Sequence, residues 1–348
     1  MAVMTVNGVI DKSALGVTSP HEHALIDISN QYPGDRTPGS LGMDGKVSCE
    51  YYDLLMRDPY ALRDNLILGD EETAIAEVSR FAAAGGKTFV DVTTPCIGRN
   101  VRFLKRLADR TKLNVVAACG FYTADAHAKR LAAMSVEELG REMTDELNTG
   151  IDGTSIRAGI IGEIGTSKTL YDEEIKVLRA AAVAHVNTGA PVMVHLNPWA
   201  GHGSRVLDIL KEGGVPENRV CLCHMDILLD LADMKRVLDR GAYLEFDNFG
   251  KEFTSGSSYG RFPSDAERME VLYKLVGGGY AEKLLLACDV CLKNLLTLHG
   301  GPGYAHVLAD IVPMIRAKYG DKAEALLKTL LVANPANYLD NPRLTAAG

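Results

Sequence analysis

Apolar runs of four to six residues recur along this chain, and each one stops at a polar residue. The runs end in "LGVTSPHEH", "TFVDVTTP", "NVVAACGFY", "AGIIGEIG", "PVMVHLN", "VCLCHMD", "AYLEFDNF" and "LLLACDVC". Their β-branched content and shortness predict strands. Between most of them lie amphipathic stretches of helical period, such as "DEETAIAEVSRFAAAGG" and "DEEIKVLRAAAVAHVNTG". Acidic first turns and glycines just past the end are what helix termini prefer. Eight strands, each followed by a helix or a long loop, predict a (β/α)8 barrel of the α/β class. A doubly wound sheet would place a Gly-rich turn after its first strand, where "SPHEH" stands instead. Residues 28–66 form the irregular piece, with "QYPGDRTPGSLGMDG" rich in Pro and Gly; a loop that long is usually functional. With no linker and no repeat beyond the βα unit, residues 1–348 are read as one domain.

Length and charge narrow the possibilities. A chain of 348 residues can bury a large core, and its net charge is −8. That acidic balance, without a Lys/Arg run, argues for a small-molecule partner rather than nucleic acid or an anionic membrane. No apolar stretch approaches a membrane span, and Met1 to Ile10 lacks the pattern of a leader. Seven scattered cysteines, an odd number, suit reduced thiols and a cytoplasmic location. Cys221, Cys223, Cys288 and Cys291 allow a four-cysteine zinc site, but Cys221 and Cys223 alternate at strand spacing and read as core.

Barrel enzymes build their sites at the C-terminal ends of the strands. There this chain carries His21 and His23, Tyr122, Glu163, His195, His224, Asp247 with Asn248, and Asp289. Four of its nine histidines occupy three of these ends. His21 and His23, two apart, point to the same side of a strand, while Glu22 points away. Imidazole and carboxylate donors suit zinc, and also manganese, cobalt or iron. His21, His23, Glu163, His195, His224 and Asp289 exceed one catalytic zinc and suit two divalent ions sharing a carboxylate and a hydroxide. His127, His185, His299 and His306 read as surface or packing residues, and His202 as a substrate contact or a solvated loop residue.

From "PHEH" to "NPANYL", the chain resembles the phosphotriesterase-like family of the amidohydrolase superfamily. The "GFY", "GIDGT", "AGIIGEIGTS" and "GAYLEFDNFGK" segments are most similar to its phosphotriesterase-homology branch. The resemblance implies that His21, His23 and Asp289 hold the more buried metal, and His195 and His224 the more exposed one. It implies a bridging Glu163 where many relatives use a carbamylated lysine; Lys168, five residues on, is too far along to substitute. The implied activity is hydrolysis of a lactone or carboxylic ester by a metal-bridging hydroxide. Asp289 would accept the proton and Tyr122 would bond the substrate or the oxyanion. A phosphotriesterase or amide hydrolase with the same metals is the alternative. Family members are often dimers, so a homodimer is expected.

Departures bear on substrate. Cys288 stands where His commonly precedes the strand-eight aspartate. Asn248 replaces an arginine of acyl-homoserine lactonases, and Ile227 replaces the aspartate of paraoxon-hydrolysing relatives, with Asp226 the nearest acid. Lys251, Tyr259 and Arg261, in "GKEFTSGSSYGRF", match the region where relatives hold a sugar phosphate. They are expected, with Asn248 and His202, to line the substrate site, and a phosphorylated sugar lactone is the substrate that such a set would suit.

Overall fold

The computed structural model describes residues 1–33, 45–127, 129–254 and 260–345. Twelve strands appear among them. A hairpin of β1 (Ala2–Thr5) and β2 (Gly8–Asp11) precedes β3 (Thr18–Glu22), and β4 (Ile26–Asp27) pairs with β5 (Ile67–Leu68). Then come β6 (Thr88–Asp91), β7 (Asn114–Cys119), β8 (Ile160–Gly165), β9 (Val192–His195), β10 (Val220–Leu222), β11 (Tyr243–Phe246) and β12 (Leu284–Leu286). Strands β3 and β6 to β12 form one parallel eight-stranded sheet in sequential order. These are the eight strands expected from the apolar runs.

Covering the sheet are α1 (Glu71–Ala83), α2 (Val101–Thr111), α3 (Val136–Asn148), α4 (Asp172–Thr188), α5 (Gly203–Glu212), α6 (Leu231–Asp239), α7 (Asp265–Gly277) and α8 (Val312–Tyr319). Asp70 caps α1 by accepting the Thr73 N–H at 2.7 Å, and Glu71 and Glu72 follow in the first turn. Helix α4 ends on Gly189, whose φ of 76° a side chain would resist.

Two apolar layers result. One lies between sheet and helices, where Phe103, Leu104 and Leu107 of α2 are buried. The other fills the barrel: Val90, Val116, Ile160, Met193, Cys221, Cys223 and Leu285. Each fully buried side chain of this size contributes about 1.5–3 kcal/mol. Cys221 and Cys223 are therefore core residues, as their spacing implied. Val3 of the N-terminal hairpin belongs to this inner layer, and Val6 N–H bonds to the Val115 carbonyl at 2.8 Å. The hairpin, which the strand pattern did not foretell, thus packs against the inside core.

The seam between β3 and β12 is closed by a side chain. Backbone contact there includes Asp289 N–H to the His21 carbonyl at 3.3 Å. Glu22 supplies more: its carboxylate accepts the N–H groups of Cys288 at 3.0 Å and Val290 at 2.9 Å, and the Ser19 hydroxyl at 2.7 Å. Burial pushes its carboxyl up to about 7, against these three bonds. Glu22 points away from the barrel mouth, as its strand position required.

Of the irregular piece at 28–66, residues 34–44 lie outside the described set. The remainder contains short helical turns, including Tyr52–Arg57 and Arg63–Leu66, rather than unbroken loop.

Candidate metal centre and its cavity

His21 lies in β3 and His23 just past its end, Glu163 sits in β8, and His195 ends β9. His224 follows β10 and Asp289 follows β12, both in the left-handed backbone region, with φ of 61° and 46°. Such conformations cluster where side chains must be aimed at one point. Gly162, just before Glu163, has no alternative: a Cβ there would lie 2.1 Å from the Met193 carbonyl oxygen.

The six side chains converge. Glu163 Oε1 lies 3.0 Å from His195 Nδ1, 3.0 Å from His224 Nε2 and 3.4 Å from His21 Nε2. Asp289 Oδ1 lies 3.3 Å from His23 Nε2 and 3.7 Å from His21 Nε2. All six are buried except His195, which is partly exposed. Burial disfavours the charge on Glu163, yet His195 and His21 beside it hold its carboxyl well below the usual range. His21 is pushed the other way, up to about 10: burial opposes its charge, but Glu163 and Glu245 favour it more.

A supporting layer turns the imidazoles. His21 Nδ1 faces Glu245 at 3.0 Å, His23 Nδ1 faces the Thr93 hydroxyl at 2.9 Å, and His224 Nδ1 faces Asp247 at 3.1 Å. Each ring is thereby left with Nε2 toward the centre, the arrangement that orients metal-binding histidines. His21 Nε2 is buried without any hydrogen-bond partner. An orphaned nitrogen between two carboxylates is what a cation site requires, so the residues present fit a metal. Three groups have ligand atoms within 4.8 Å of one another: His21, His23 and Glu163; His21, His224 and Asp289; and Glu163, His195 and His224. A fourth group, His21 with Cys223, Glu245 and Asp247, lies on the Nδ1 side and is the supporting layer itself.

Glu245 carried no signal as an isolated residue, although its i, i+2 spacing with Asp247, just past the end of β11, turns both to the inside. Asp226, the acid nearest the position held by Ile227, is fully buried 3.1 Å from Arg268 Nε. Ile227 itself forms part of the cavity wall.

A cavity of about 260 Å³ opens above the cluster, walled by Tyr60, Trp199, Phe253, Phe262, Ile227 and Leu292. Tyr122 lines it, with its hydroxyl 3.3 Å from His195 Nδ1. Burial first, then the charge of Glu163, keeps that phenol neutral.

Four of the five expected substrate contacts are described: Lys251 and Asn248 line the cavity, whereas Arg261 and His202 do not and need correction. Lys251 is no solvated loop cation. It is buried, and its Nζ pairs with Asp289 and lies 3.6 Å from Cys291 Sγ. Arg261 is turned outward to Glu267 at 2.5 Å, because an exposed carboxylate at the start of α7 is within its reach. His202 bonds the Lys168 carbonyl at 3.0 Å through Nε2 and is absent from the cavity lining. Asn248 does line the cavity, but its amide donates to Asp226 at 2.7 Å and Asp247 at 2.6 Å. Tyr259 lies outside the described residues. His127, His185 and His306 engage Tyr122, Ala190 and Asp265, away from the centre.

A parallel barrel with a histidine–carboxylate cluster at its mouth defines a class of hydrolases whose candidate metal ligands sit at the ends of several barrel strands. The chain belongs to the phosphotriesterase family, whose model matches residues 1–339. It is 34% identical over 341 residues to the N-acetyltaurine hydrolase of Mus musculus, covering 97% of each chain. A solved resiniferatoxin-binding protein from Rhodobacter sphaeroides superposes with a TM-score of 0.93 at 38% identity, covering 97% of this chain and 95% of that one. A variant of a phosphotriesterase-like lactonase from Deinococcus radiodurans gives 0.75 at 28%, covering 97% and 100%. This chain is a hydrolase of that family. Among the described residues, no helix is long and apolar enough to cross a membrane.

Proposed function

We propose that the chain is a binuclear metal-dependent hydrolase of a carboxylic acyl bond, a lactone or ester, with zinc the metal its donors suit best. One observation carries this reading: Glu163 stands between two donor groups, His21 with His23 and His195 with His224, at the base of an aromatic-walled cavity. When bound, two divalent ions supply a water acidic enough to attack at neutral pH and a charge for the carbonyl oxygen. Asp289 then accepts the proton released as attack proceeds, and the Tyr122 phenol donates to the developing oxyanion.

A phosphate-bearing substrate loses its support, because Lys251 faces Asp289 and Arg261 faces Glu267. Hydrolysis of a phosphotriester is disfavoured by Ile227 in the wall and by Asp226 being held by Arg268. A second reading, amide hydrolysis, is favoured by the full-length likeness to the mouse N-acetyltaurine hydrolase. Rates on simple lactones, carboxylic esters, N-acetyltaurine, N-acyl amino acids and paraoxon decide. Turnover of lactones or esters is the expected result. Silence on all of them with turnover of amides would transfer the lead to the second reading.

A further inference from the structure

We infer that Lys251 is a catalytic residue that donates a hydrogen bond to the leaving atom of the substrate, an inference that rests on the acyl-hydrolase reading. Lys251 is 4% exposed and lines the cavity. Its backbone is fixed at both ends of the peptide unit: its N–H reaches the Asn248 carbonyl at 3.0 Å, and its carbonyl accepts Arg268 Nη2 at 2.9 Å. The ammonium group has three N–H bonds. Asp289 Oδ2 takes one, and Cys291 Sγ, a weak acceptor at 3.6 Å, faces another. Among the described residues no further acceptor takes the third, which is left for the cavity.

Placement supports the role. Tyr122 follows β7 and Lys251 follows β11, the third and seventh of the eight barrel strands, so the two donors face the centre from opposite walls. Tyr122 stands beside His195, and Lys251 beside Asp289. With Tyr122 on the side of the carbonyl oxygen, the charge that develops on the departing oxygen or nitrogen meets Lys251. In that step the water oxygen bonds to the acyl carbon, and the bond from acyl carbon to leaving atom breaks with its electron pair on the leaving atom. The proton that the water loses, carried by Asp289, ends on the leaving atom. Lys251 keeps all its protons and stabilises charge only. A buried donor of this kind acts in a low-dielectric site and is strong there.

The test uses Lys251→Met and Lys251→Arg in the full-length enzyme, with metal content and melting temperature recorded for each. The substrates are acetate esters running from 4-nitrophenyl to phenyl to ethyl, together with acetanilide. Lys251→Met should lose little on the 4-nitrophenyl ester and about 100-fold in kcat/KM on the ethyl ester. Lys251→Arg should lose less than Met where the leaving group is poor. If Lys251→Met does not fold, the Arg variant carries the same test, and a loss that grows with leaving-group basicity supports the role. An equal loss on every ester overturns it in favour of simple support for Asp289. No loss on any substrate of the series also overturns it. A wild-type enzyme inert on this series and also on simple lactones and N-acyl amino acids overturns the acyl-hydrolase reading and this inference together.

Discussion

Asp247 holds His224 at two points, accepting its backbone N–H at 3.0 Å and facing its ring Nδ1 at 3.1 Å. Burial alone would raise the Asp247 pKa, but His224 beside it keeps the carboxylate charged. Removing that carboxylate frees both the loop and the ring. Asp247→Ala should weaken metal affinity by about 10–100-fold, as loss of an orienting partner does. Competition with a chromophoric chelator measures it, and wild-type affinity in the variant would refute the supporting role.

Glu22 satisfies two backbone N–H groups across the seam. Glu22→Ala leaves both buried donors unpaired, at roughly 1–3 kcal/mol each. The expected outcome in urea unfolding is a loss of about 2–6 kcal/mol. Glu22→Gln keeps one acceptor and should lose clearly less. Equal stabilities for the three proteins would show that the seam is held by other contacts.

Arg268 is wholly buried and meets Asp226, Asp265 and the Lys251 carbonyl. Arg268→Met leaves the buried Asp226 carboxylate without its cation, while Asp265 keeps His306, and should destabilise by about 3–5 kcal/mol. Adding Asp226→Asn should recover part of that loss, and a strictly additive double variant would mean the pair is not coupled.

Metal removal has two readouts. Treatment with a chelator should abolish turnover and lower the melting temperature, and adding back zinc or manganese should restore both. A ligand at 100 times its Kd stabilises by about 2.7 kcal/mol. A protein whose melting temperature ignores the chelator would contradict a metal bound at this cluster.

His306 offers a pH signature away from the centre. Burial lowers its pKa, but the Asp265 carboxylate 2.6 Å away, helped by Asp310, raises it above the ordinary histidine value. The folded state therefore favours the protonated ring. That stabilisation is complete below about pH 6.5, the unfolded value, and fades as pH rises through the elevated folded value. Denaturant melts between pH 6 and 9 should show wild-type stability falling toward parity with His306→Gln. A constant gap between the two proteins would exclude the linkage.

Which parts of this were legible in the sequence follows from how far each interaction reaches. The strands and their order were readable because every apolar run ends on a polar residue, and strand ends face one mouth. The six converging side chains were readable for the same reason. Glu245 was not, because its partner His21 stands 224 positions away on β3, two strands round the closed barrel from β11, and no local pattern reports a contact between them. The pairing of Lys251 with Asp289 was not readable either, because the two residues stand 38 positions apart on different loops and no local pattern reports their contact. The N-terminal hairpin was missed although "VNG" supplies its turn, since its two strands are too short for a periodic signal.

The seam closed by Glu22 also sets the order in which the chain can become an enzyme. His21 and His23 lie on the first barrel strand and Asp289 just after the last, so a nascent chain leaving the ribosome carries most of the donor atoms long before it has the set. Only when β12 arrives and its loop is taken up by Glu22 does Asp289 face His23. Metal capture is thereby tied to synthesis of the C-terminal part, and a truncated product lacking β12 would lack the closed cation site.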